Sequence, residues 1–492
     1  MGILDIFRST KTDAKPRRVR NYSGAATSRL FSSSFGSSER SADSELQSAL
    51  PKLRSRSRDL VRNNEYAKRY MKLLRNNVIG KNGFNTQVRA FGGDTKLDQP
   101  ANQLIESKFA RWCRLGNCTV DGKLSWIDVQ KLATETLARD GEVFIIKHRG
   151  ASFHDSFALE FVESDQVDVA FNRKAQGGNE IRMGVELNQF KKPIAYYFLQ
   201  AHPGDANFSS MTVKEKYTRV TADKVIHLLE PTRVGQTRGE PWLTASMAAM
   251  NQLGALREAA IVNARIGASK MGFFTSSGGD GFVPDDMAED IPIMEVEPGT
   301  MHQLPVGVDF KSFDPQYPNN EFDGFHKAVL KGVAVGLGPS YPSLSGDLEG
   351  VSYSSIRQGA LDERDYYENV QEFLITHLVR PVFEAWLGSS MEMGTLGIPV
   401  SRFDHFADAA QFRGRAWSWV DPLKEMNAAV TGLKNGVLSL DDVASQYGKD
   451  VEELLGQIKR DKALASQFGI KYAMEPFGGN LEKVAPDITD DD

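Results

Sequence analysis

The feature that most constrains this chain is a loop joined directly to a long helix, in the stretch SGDLEGVSYSSIRQGALDER from Ser345 to Arg364. The loop half contains residue types that favour turns and positive φ angles, namely Gly346, Asp347 and Gly350. Joints of this kind hold a phosphate, hold a partner or line a channel. The rest of the sequence has to decide among these three uses.

The helix half of the joint predicts a long packed helix. Ser354 or Ser355 is the expected N-cap. Apolar residues recur at three- and four-residue steps along one stripe, at Tyr367, Val370, Leu374, Leu378 and Val382. Pro381 is expected to bend or end the helix. The carboxylates near its start are expected to favour the positive end of the helix dipole; they are Asp362, Glu363 and Asp365.

The loop half does not match a nucleotide-binding loop. Such a loop follows a strand and carries a lysine next to a serine or threonine, and Gly346 to Gly350 has no such pair. The wider segment from Gly338 to Gly350 contains serines and acids but no lysine or arginine. Because cations are what retain phosphates, this loop is better suited to let phosphate pass than to bind it.

Alternating periods along the chain predict an α+β fold that is mostly helical. Helices are expected at residues 50–80, 102–113 and 126–139, and short apolar runs predict strands at 143–146, 159–162, 167–170, 194–199 and 225–229. Residues 242–270 predict a helix rich in alanine and glycine, packed either within one subunit or between subunits. A β-rich segment, 271–318, and a helix, 322–336, follow. Short helices are expected over 421–469, where Ser439 and Asp442 form a capping-box pattern.

Charge is unevenly distributed. Residues 1–80 hold 17 Lys/Arg against 7 Asp/Glu, whereas residues 487–492 are mostly acidic. A basic segment binds nucleic acid or an acidic partner, or is simply solvated. Residues 1–49 are expected to form a disordered basic arm. In the helix that follows, four arginines are candidate phosphate contacts, with a solvated helix face as the alternative: Arg54, Arg56, Arg58 and Arg62.

The sequence offers little material for catalysis. No Walker lysine, nucleophile elbow, dinucleotide fingerprint or metal-binding His/Glu motif is found, so we expect no enzyme, no cofactor and no metal. Cys113 and Cys118 are spaced C-x4-C without a second pair, and they are expected to be small buried side chains. Four charged residues interrupt the apolar stretch from Trp242 to Phe274, so no membrane span is expected.

Three ordered blocks together carry a family resemblance. The first block is SGD followed by YSSIR, which leads into a helix that ends in LVRPVFEAWL. The second block is RSRDLVRNNEYAKRYMKLLRNNVIGKNGF, from Arg56 to Phe84. The third is a Trp-x-Asp-Pro signature that starts at Trp419. The sequence resembles the lambda-like portal proteins of tailed bacteriophages over roughly residues 50 to 475. One departure is Ser352, where the resemblance leads us to expect Asn.

The resemblance implies a portal fold with wing, stem, clip and crown regions in a ring oligomer. It assigns the regions as follows: a basic arm, 1–49; an α+β wing, 50–240; a first stem helix, 241–270; a clip, 271–318; a second stem helix, 319–337; a tunnel loop, 338–351; a long wing helix and following segment, 352–420; a helical crown, 421–475; and an acidic flexible tail, 476–492. Candidate DNA-channel residues on the tunnel loop and stem are Ser343, Ser345, Asp347, Glu349, Lys327 and Lys331.

The resemblance also implies a function without catalysis. A ring, dodecameric in the family, sits at one capsid vertex of the virion and passes double-stranded DNA during packaging and ejection. Its expected partners are other copies of itself, the terminase large subunit, the major capsid and scaffold proteins, and the head-completion or connector proteins, with assembly in the host cytoplasm. The alternative is a non-ring nucleic-acid-binding protein that acts through the basic helix at Arg54 to Arg75.

Overall fold

A computed structural model describes residues 39–93, 96–207, 217–268, 272–276, 308–312, 321–417, 422–446 and 451–470. Its α-helices are α1 Ala42–Asn63, α2 Glu65–Leu74, α3 Gln99–Trp112, α4 Trp126–Asp140, α5 Met247–Ala268, α6 Glu321–Leu337, α7 Tyr341–Ser345, α8 Tyr353–Leu374, α9 Arg380–Glu392, α10 Phe403–Asp408, α11 Pro422–Lys434, α12 Leu440–Gln446 and α13 Val451–Gln467. No described helix is both long and apolar enough to cross a membrane.

The strands are β1 Asn85–Val88, β2 Glu142–Arg149, β3 Phe157–Val162, β4 Arg173–Lys174, β5 Glu180–Arg182, β6 Val185–Leu187, β7 Pro193–Leu199, β8 Tyr217–Thr221, β9 Val225–Leu229, β10 Gly272–Ser276, β11 Val308–Ser312 and β12 Ala410–Arg413. They form antiparallel sheets with the orders β3-β2-β9, β4-β5-β6-β7-β8, β1-β12 and β10-β11. The α+β class predicted from the sequence is confirmed.

The predicted strand at residues 167–170 is wrong. Val167 is fully buried, which explains the apolar run, but the chain turns immediately after it. The carboxylate of Asp168 accepts the backbone N–H of Ala170 at 2.8 Å, and the Asp168 carbonyl accepts that of Phe171 at 3.1 Å. An aspartate that bonds its own backbone two residues on stabilises a turn, so local hydrogen bonding prevails over β propensity here.

Helix α1 begins earlier than predicted, so the expected disordered arm cannot extend to residue 49. The Ser41 hydroxyl accepts the N–H of Ser44, and Leu46 and Leu50 are buried. The carboxylate of Asp43 accepts the N–H of Thr237 at 2.8 Å and its hydroxyl at 2.7 Å. These contacts fix the first turn of α1 to the rest of the chain. Residues 1–38 lie outside the described residues.

The long helix passes through Pro381 instead of ending there. Helix α8 continues through a π-helical turn, Ile375–Val379, directly into α9. Proline has no N–H and its ring collides with the carbonyl four residues earlier. The π turn changes the bonding just before it, with the Arg380 N–H donating to Ile375, so α9 restarts with proline in its first turn, where proline is tolerated.

Aromatic packing holds this rod against the N-terminal helices. Phe109 on α3 meets Phe383 edge-on at 5.2 Å and Trp386 at 4.9 Å between ring centroids. The indole N–H of Trp112 donates to the carbonyl of Phe157 at 2.9 Å, so α3 is also fixed to β3. These rings lie in the main core, which contains buried residues from α2, α6, α8 and α9. A second, smaller core fills the space between the three- and five-stranded sheets.

A buried carboxylate, Glu142 on β2, is shared by two arginines and a histidine. Its Oε1 accepts hydrogen bonds from Arg54 and, at 2.6 Å, from Nη2 of Arg238, and its Oε2 accepts from Nε2 of His227 at 3.0 Å. Burial alone would raise the pKa of Glu142, but the guanidiniums of Arg238 and Arg54 hold it well below its usual value. The carboxylate is therefore ionised and joins α1, β2, β9 and the segment before α5.

Close backbone contact brings that segment within reach of Glu142. The Gly239 N–H donates to Glu142 at 3.0 Å, and a Cβ on Gly239 would lie 2.0 Å from the carbonyl oxygen of Gly141. No side chain fits at that distance, so residue 239 must be glycine. Arg238 next to it also donates to the carbonyls of Val167 at 2.9 Å and Met183 at 2.6 Å.

Removing the charge of Glu142 is expected to destabilise the fold strongly. Glu142→Gln removes the shared counter-ion of two buried guanidiniums and leaves Arg54 only the more distant Asp165 at 3.7 Å, and breaking a buried pair typically costs about 3 to 5 kcal/mol. Urea denaturation of the unassembled chain measures the free energy of unfolding. Glu160→Gln is the matched control, because Glu160 makes an exposed pair with His148 and should cost at most about 1 kcal/mol. Equal losses in the two variants would contradict this account.

Stability should also fall as the pH decreases through the range of histidine. Burial, opposed by the bond to Glu142, lowers the pKa of His227. Because the folded pKa lies below the unfolded value of about 6.5, the neutral ring contributes its full stability above that pH and loses it below. Between about pH 7.5 and pH 5.5, His227→Gln should therefore lose less stability than the wild type. The exposed residue His148, changed to Gln, is the control, and an unchanged pH dependence in His227→Gln would refute the assignment.

Candidate tunnel loop and basic helix

The tunnel loop is more ordered in its first half than the sequence predicts, because it contains the short helix α7. The Ser340 hydroxyl accepts the N–H of Ser343, and Gly346 ends the helix in the left-handed region with φ at 77°. The Ser345 hydroxyl donates to the carbonyl of Tyr341 at 2.7 Å and accepts the N–H of Asp347 at 3.0 Å. The predicted channel residues Ser343 and Ser345 thus already use their hydroxyls to shape the loop.

A buried glutamate on α8, Glu363, fixes the loop in place. Its Oε2 accepts the hydroxyls of Ser340 at 2.9 Å and Ser343 at 2.7 Å, and its Oε1 accepts the hydroxyl of Tyr367 at 2.5 Å. Burial and this bond raise the pKa of Tyr367. On the other side, Arg69 of α2 donates to the Ser343 carbonyl at 3.1 Å. The loop is therefore held by two helices.

The placement of Glu363 corrects its interpretation as a helix-dipole carboxylate. Helix α8 starts at Tyr353, capped by Ser352, whose hydroxyl accepts the N–H of Ser355 at 3.2 Å. The predicted caps, Ser354 and Ser355, lie inside the helix. The carboxylates at 362, 363 and 365 are then in its third and fourth turns, and the dipole acts only within the first turn. The serine that replaces the expected Asn at position 352 caps equally well.

Of the two candidate lysines on α6, Lys327 is paired with acids, whereas Lys331 is exposed and contacts an aromatic ring. The Lys327 ammonium lies 2.9 Å from Asp323, 3.2 Å from Glu349 and 3.6 Å from Asp347, and hydrogen bonds to Asp323 and Glu349 raise its pKa. Lys331 lies over the ring of Tyr341, 5.6 Å from its centroid. The structure thus brings Lys327 together with two predicted acids of the loop, and its positive charge is offset locally.

The phosphate-contact prediction is wrong for Arg54 and weakened for Arg58. Arg54 is only 2% exposed and is bound to Glu142, so its guanidinium cannot reach a phosphate. Arg58 is half-buried, donates to Asp140 at 2.9 Å and pairs with Asp165. Arg56 and Arg62 are exposed. Arg54 and Arg58 therefore lie on the face of α1 that packs against the rest of the fold.

One cluster offers metal-ligand types: Glu163, Asp165 and His202, with ligand atoms within 4.8 Å of one another. The His202 Nδ1 accepts the backbone N–H of Gly204 at 3.0 Å, so its Nε2 carries the proton that points to Glu163 at 3.1 Å. A metal would need that nitrogen deprotonated. Arg58 already neutralises Asp165. The cluster is satisfied as a hydrogen-bonded set.

Sequence reasoning missed Glu142, Arg238 and Glu363 as the residues that organise these sites. Glu142 and Arg238 stand 96 residues apart, and neither belongs to a motif. Glu363 did carry a local signal, because Tyr367 lies one helical turn further on and interacts with it. The prediction that both cysteines are small buried side chains is confirmed for Cys118, whereas Cys113 is only partly buried, and burial raises the pKa of Cys118 to about 12.

Comparisons with known proteins identify the family. The model of the phage portal proteins of the lambda family matches residues 28–371. The probable portal protein of Halomonas phage phiHAP-1 is 36% identical, covering 97% of this chain and 93% of its own length. Portal protein B of Escherichia phage lambda is 22% identical, covering 90% of each chain. A chain from the virion of a native gene transfer agent particle is 13% identical, with a TM-score of 0.44, covering 81% of this chain and 94% of its own.

The family model covers more than half of the chain, and the Halomonas phage relative aligns along almost all of it. The resemblance carried by the three sequence blocks is thereby confirmed. This chain belongs to the lambda family of phage portal proteins.

Proposed function

We propose that twelve copies of this portal protein form a ring whose axis carries double-stranded DNA. Within this proposal the terminase large subunit docks on the clip and supplies the ATP hydrolysis, so the ring itself is not an enzyme. Scaffold and major capsid proteins surround it during assembly in the host cytoplasm, and head-completion or connector proteins bind it later. The observation that carries the proposal is membership of the portal family along nearly the whole chain.

The regions implied by the resemblance remain proposals, with one changed boundary. The wing starts at α1, residue 42, and helices α5 and α6 are the two stem helices. The β10-β11 pair is the described part of the clip; most of residues 271–318, and the acidic tail 476–492, lie outside the described residues. Helices α11 to α13 form the crown.

The exposure pattern of α5 supports packing between subunits. Its first half packs within the chain, because Met250 and Leu253 are buried and the preceding Ser246 donates to the carbonyl of Val333 on α6 at 3.3 Å. Its second half exposes Ile261 by 57% and Val262 by 47%. Adjacent exposed apolar side chains on a helix often mark a surface that another chain covers. We assign this face to the contact with the next subunit.

The tunnel loop supports free passage of DNA. Among its described residues there is no lysine or arginine, Glu349 is exposed, and the nearest stem cation, Lys327, is paired with acids. Each cation that contacts a phosphate releases counter-ions and adds affinity. A loop lining of carboxylates, with Lys327 paired, therefore limits retention of a moving duplex, although Lys331 remains an exposed cation beside the loop.

The alternative of a non-ring nucleic-acid-binding protein is not favoured. It requires the cations from Arg54 to Arg75 to reach phosphates, and Arg54 is committed to the core. Exposed cations remain along this segment, at Arg56, Arg62, Lys68, Arg69, Lys72 and Arg75, but membership of the portal family along nearly the whole chain favours the ring. Phosphate contacts made by these exposed cations would be strongly salt-dependent.

Changing the exposed face of α5 should abolish ring formation. Negative-stain microscopy and sedimentation of wild-type protein are expected to show rings with a central hole. Ile261→Asp combined with Val262→Asp places charges in an apolar contact and should leave mainly smaller species. Val234→Asp is the control, since Val234 is fully exposed in a loop. Normal rings from the double variant would show that this face lies outside the subunit contact.

Adding a cation to the tunnel loop should impede DNA movement. Glu349→Lys introduces a free charge and removes a partner of Lys327, so the ring should retain DNA more strongly. We expect shorter nuclease-protected genomes or slower ejection, with the defect shrinking as ionic strength rises, because each phosphate contact adds about one unit to the salt dependence. Asp205→Lys, an exposed change elsewhere, is the control. A salt-independent defect, or none, would contradict the channel assignment.

A further inference from the structure

A concave basic pocket lies beside the glycine-containing loop that follows the π-helical end of α2. Its volume is about 560 Å³, and it is formed by residues 76–85, Lys131 of α4 and the segment after β12. The pairing of β1 with β12, which sets Asn85 opposite Arg413, brings these parts together. Gly80 makes the close packing feasible, since it has φ of 67° and a Cβ there would lie 2.9 Å from the side chain of Arg415.

The lining of this pocket is cationic. It includes Lys81, Lys131, Arg413 and Arg415, while none of the lining residues is acidic. Within the described part of the chain, neither lysine has a hydrogen bond or an ion pair. Asp128, which lies near Lys131, is already engaged by the hydroxyl of Ser125 at 2.6 Å. Arg413 is paired with Asp441, but among the described residues Lys81, Lys131 and Arg415 have no carboxylate within salt-bridge distance, and three such cations around one cavity favour a bound anion.

Arg415 reinforces this potential. Its guanidinium donates to the side chain of Asn77 at 2.7 Å, a neutral partner that leaves its charge uncompensated. Burial, together with the nearby Arg364, lowers its pKa. Amide side chains of Asn82 and Asn85 complete the lining with further hydrogen-bond donors. The pocket therefore presents donors and positive charge suited to a carboxylate or a phosphate.

The C-terminal helices already bring one carboxylate to the edge of this pocket. Asp441 at the start of α12 lies 3.4 Å from Arg413 and 3.5 Å from Arg89. After α13 the chain continues past Ile470 to an acidic run, DITDDD, at residues 487–492. Asp487 follows Ile470 by 17 residues, a length that spans up to about 55 Å when extended. Helix α13 contacts α12 and is about 25 Å long, so its C-terminal end lies within the reach of that tether.

We propose that the acidic segment Asp487–Asp492 of the same chain binds in the basic pocket formed by Lys81, Lys131, Arg413 and Arg415. The four aspartates of this segment supply more than enough negative charge for Lys81, Lys131 and Arg415, since Arg413 is already paired with Asp441. Tethering gives the segment an effective concentration of about millimolar, so individually weak ion pairs suffice. A nucleic-acid phosphate has compatible chemistry, but the contact of Asp441 with Arg413 already places the C-terminal part of this chain at the site.

The test measures binding of a fluorescent peptide of residues 484–492 to full-length protein by anisotropy. In one protein, Asp487, Asp490, Asp491 and Asp492 are all changed to Asn, which vacates the pocket without shortening the chain. We expect this protein to bind the peptide at least about tenfold more tightly than the wild type, whose own segment competes. Binding should weaken as salt increases.

Pocket variants make the test specific. In the tail-neutralised protein, Lys81→Glu with Lys131→Glu should reduce peptide affinity at least about tenfold, and the milder Lys81→Gln with Lys131→Gln should give an intermediate loss. Lys68→Glu with Lys72→Glu, exposed lysines of α2, is the matched control, and thermal unfolding verifies that each variant is folded. Equal binding by wild-type and tail-neutralised protein, or no effect of the pocket variants, would overturn the proposal. If binding of a duplex oligonucleotide depends on Lys81 and Lys131 and binding of the peptide does not, the pocket is assigned to nucleic acid instead.

Discussion

The ionised carboxylate of Glu142 is the interaction on which the packing of α1, β2, β9 and the segment before α5 depends. Its two oxygens receive donors from α1, from β9 and from the segment before α5, so three distant parts of the sequence meet at one atom pair. Buried ion networks of this kind contribute little net stability over an apolar equivalent, but an incomplete one is very costly. The network therefore selects one arrangement of these elements, because a packing that omits Arg54 or Arg238 takes hydrogen-bond donors away from the buried carboxylate.

The same arrangement, a carboxylate surrounded by donors, recurs at the tunnel loop on a smaller scale. Glu363 receives three hydroxyls instead of guanidiniums, so the joint is held by shorter-range and weaker bonds. The difference matches position: Glu142 fixes a core, whereas Glu363 fixes a segment that we place against moving DNA. Lys327 and its acids then close the loop against α6 without adding free positive charge.

Local periodicity predicted the main helices and four of the five expected strands, and the three sequence blocks led to the family. Periodicity missed the short strands β1, β4, β5, β6, β8 and β12, whose pairing joins separate parts of the chain. Arg54 shows the limit: arginines at 54, 56, 58 and 62 look alike in sequence, and only a glutamate 88 residues away decides that the first is buried. The start of α1 was missed for the same reason, because Asp43 finds its partner at Thr237. The loop between α6 and α8 was expected from its composition, but its hydrogen bonds to Glu363 could not be predicted.

The π turn between α8 and α9 gives the long wing helix a mechanical property. Residues 353–392 form one uninterrupted rod of about 60 Å, with Glu363 near one end and Trp386 in the aromatic core near the other. One extra residue per turn rotates everything beyond it by about 100° relative to a regular helix. The helix can thus present one side to the loop and another to the core. Residues 353–392 therefore connect the loop and the aromatic core through one continuous helical segment.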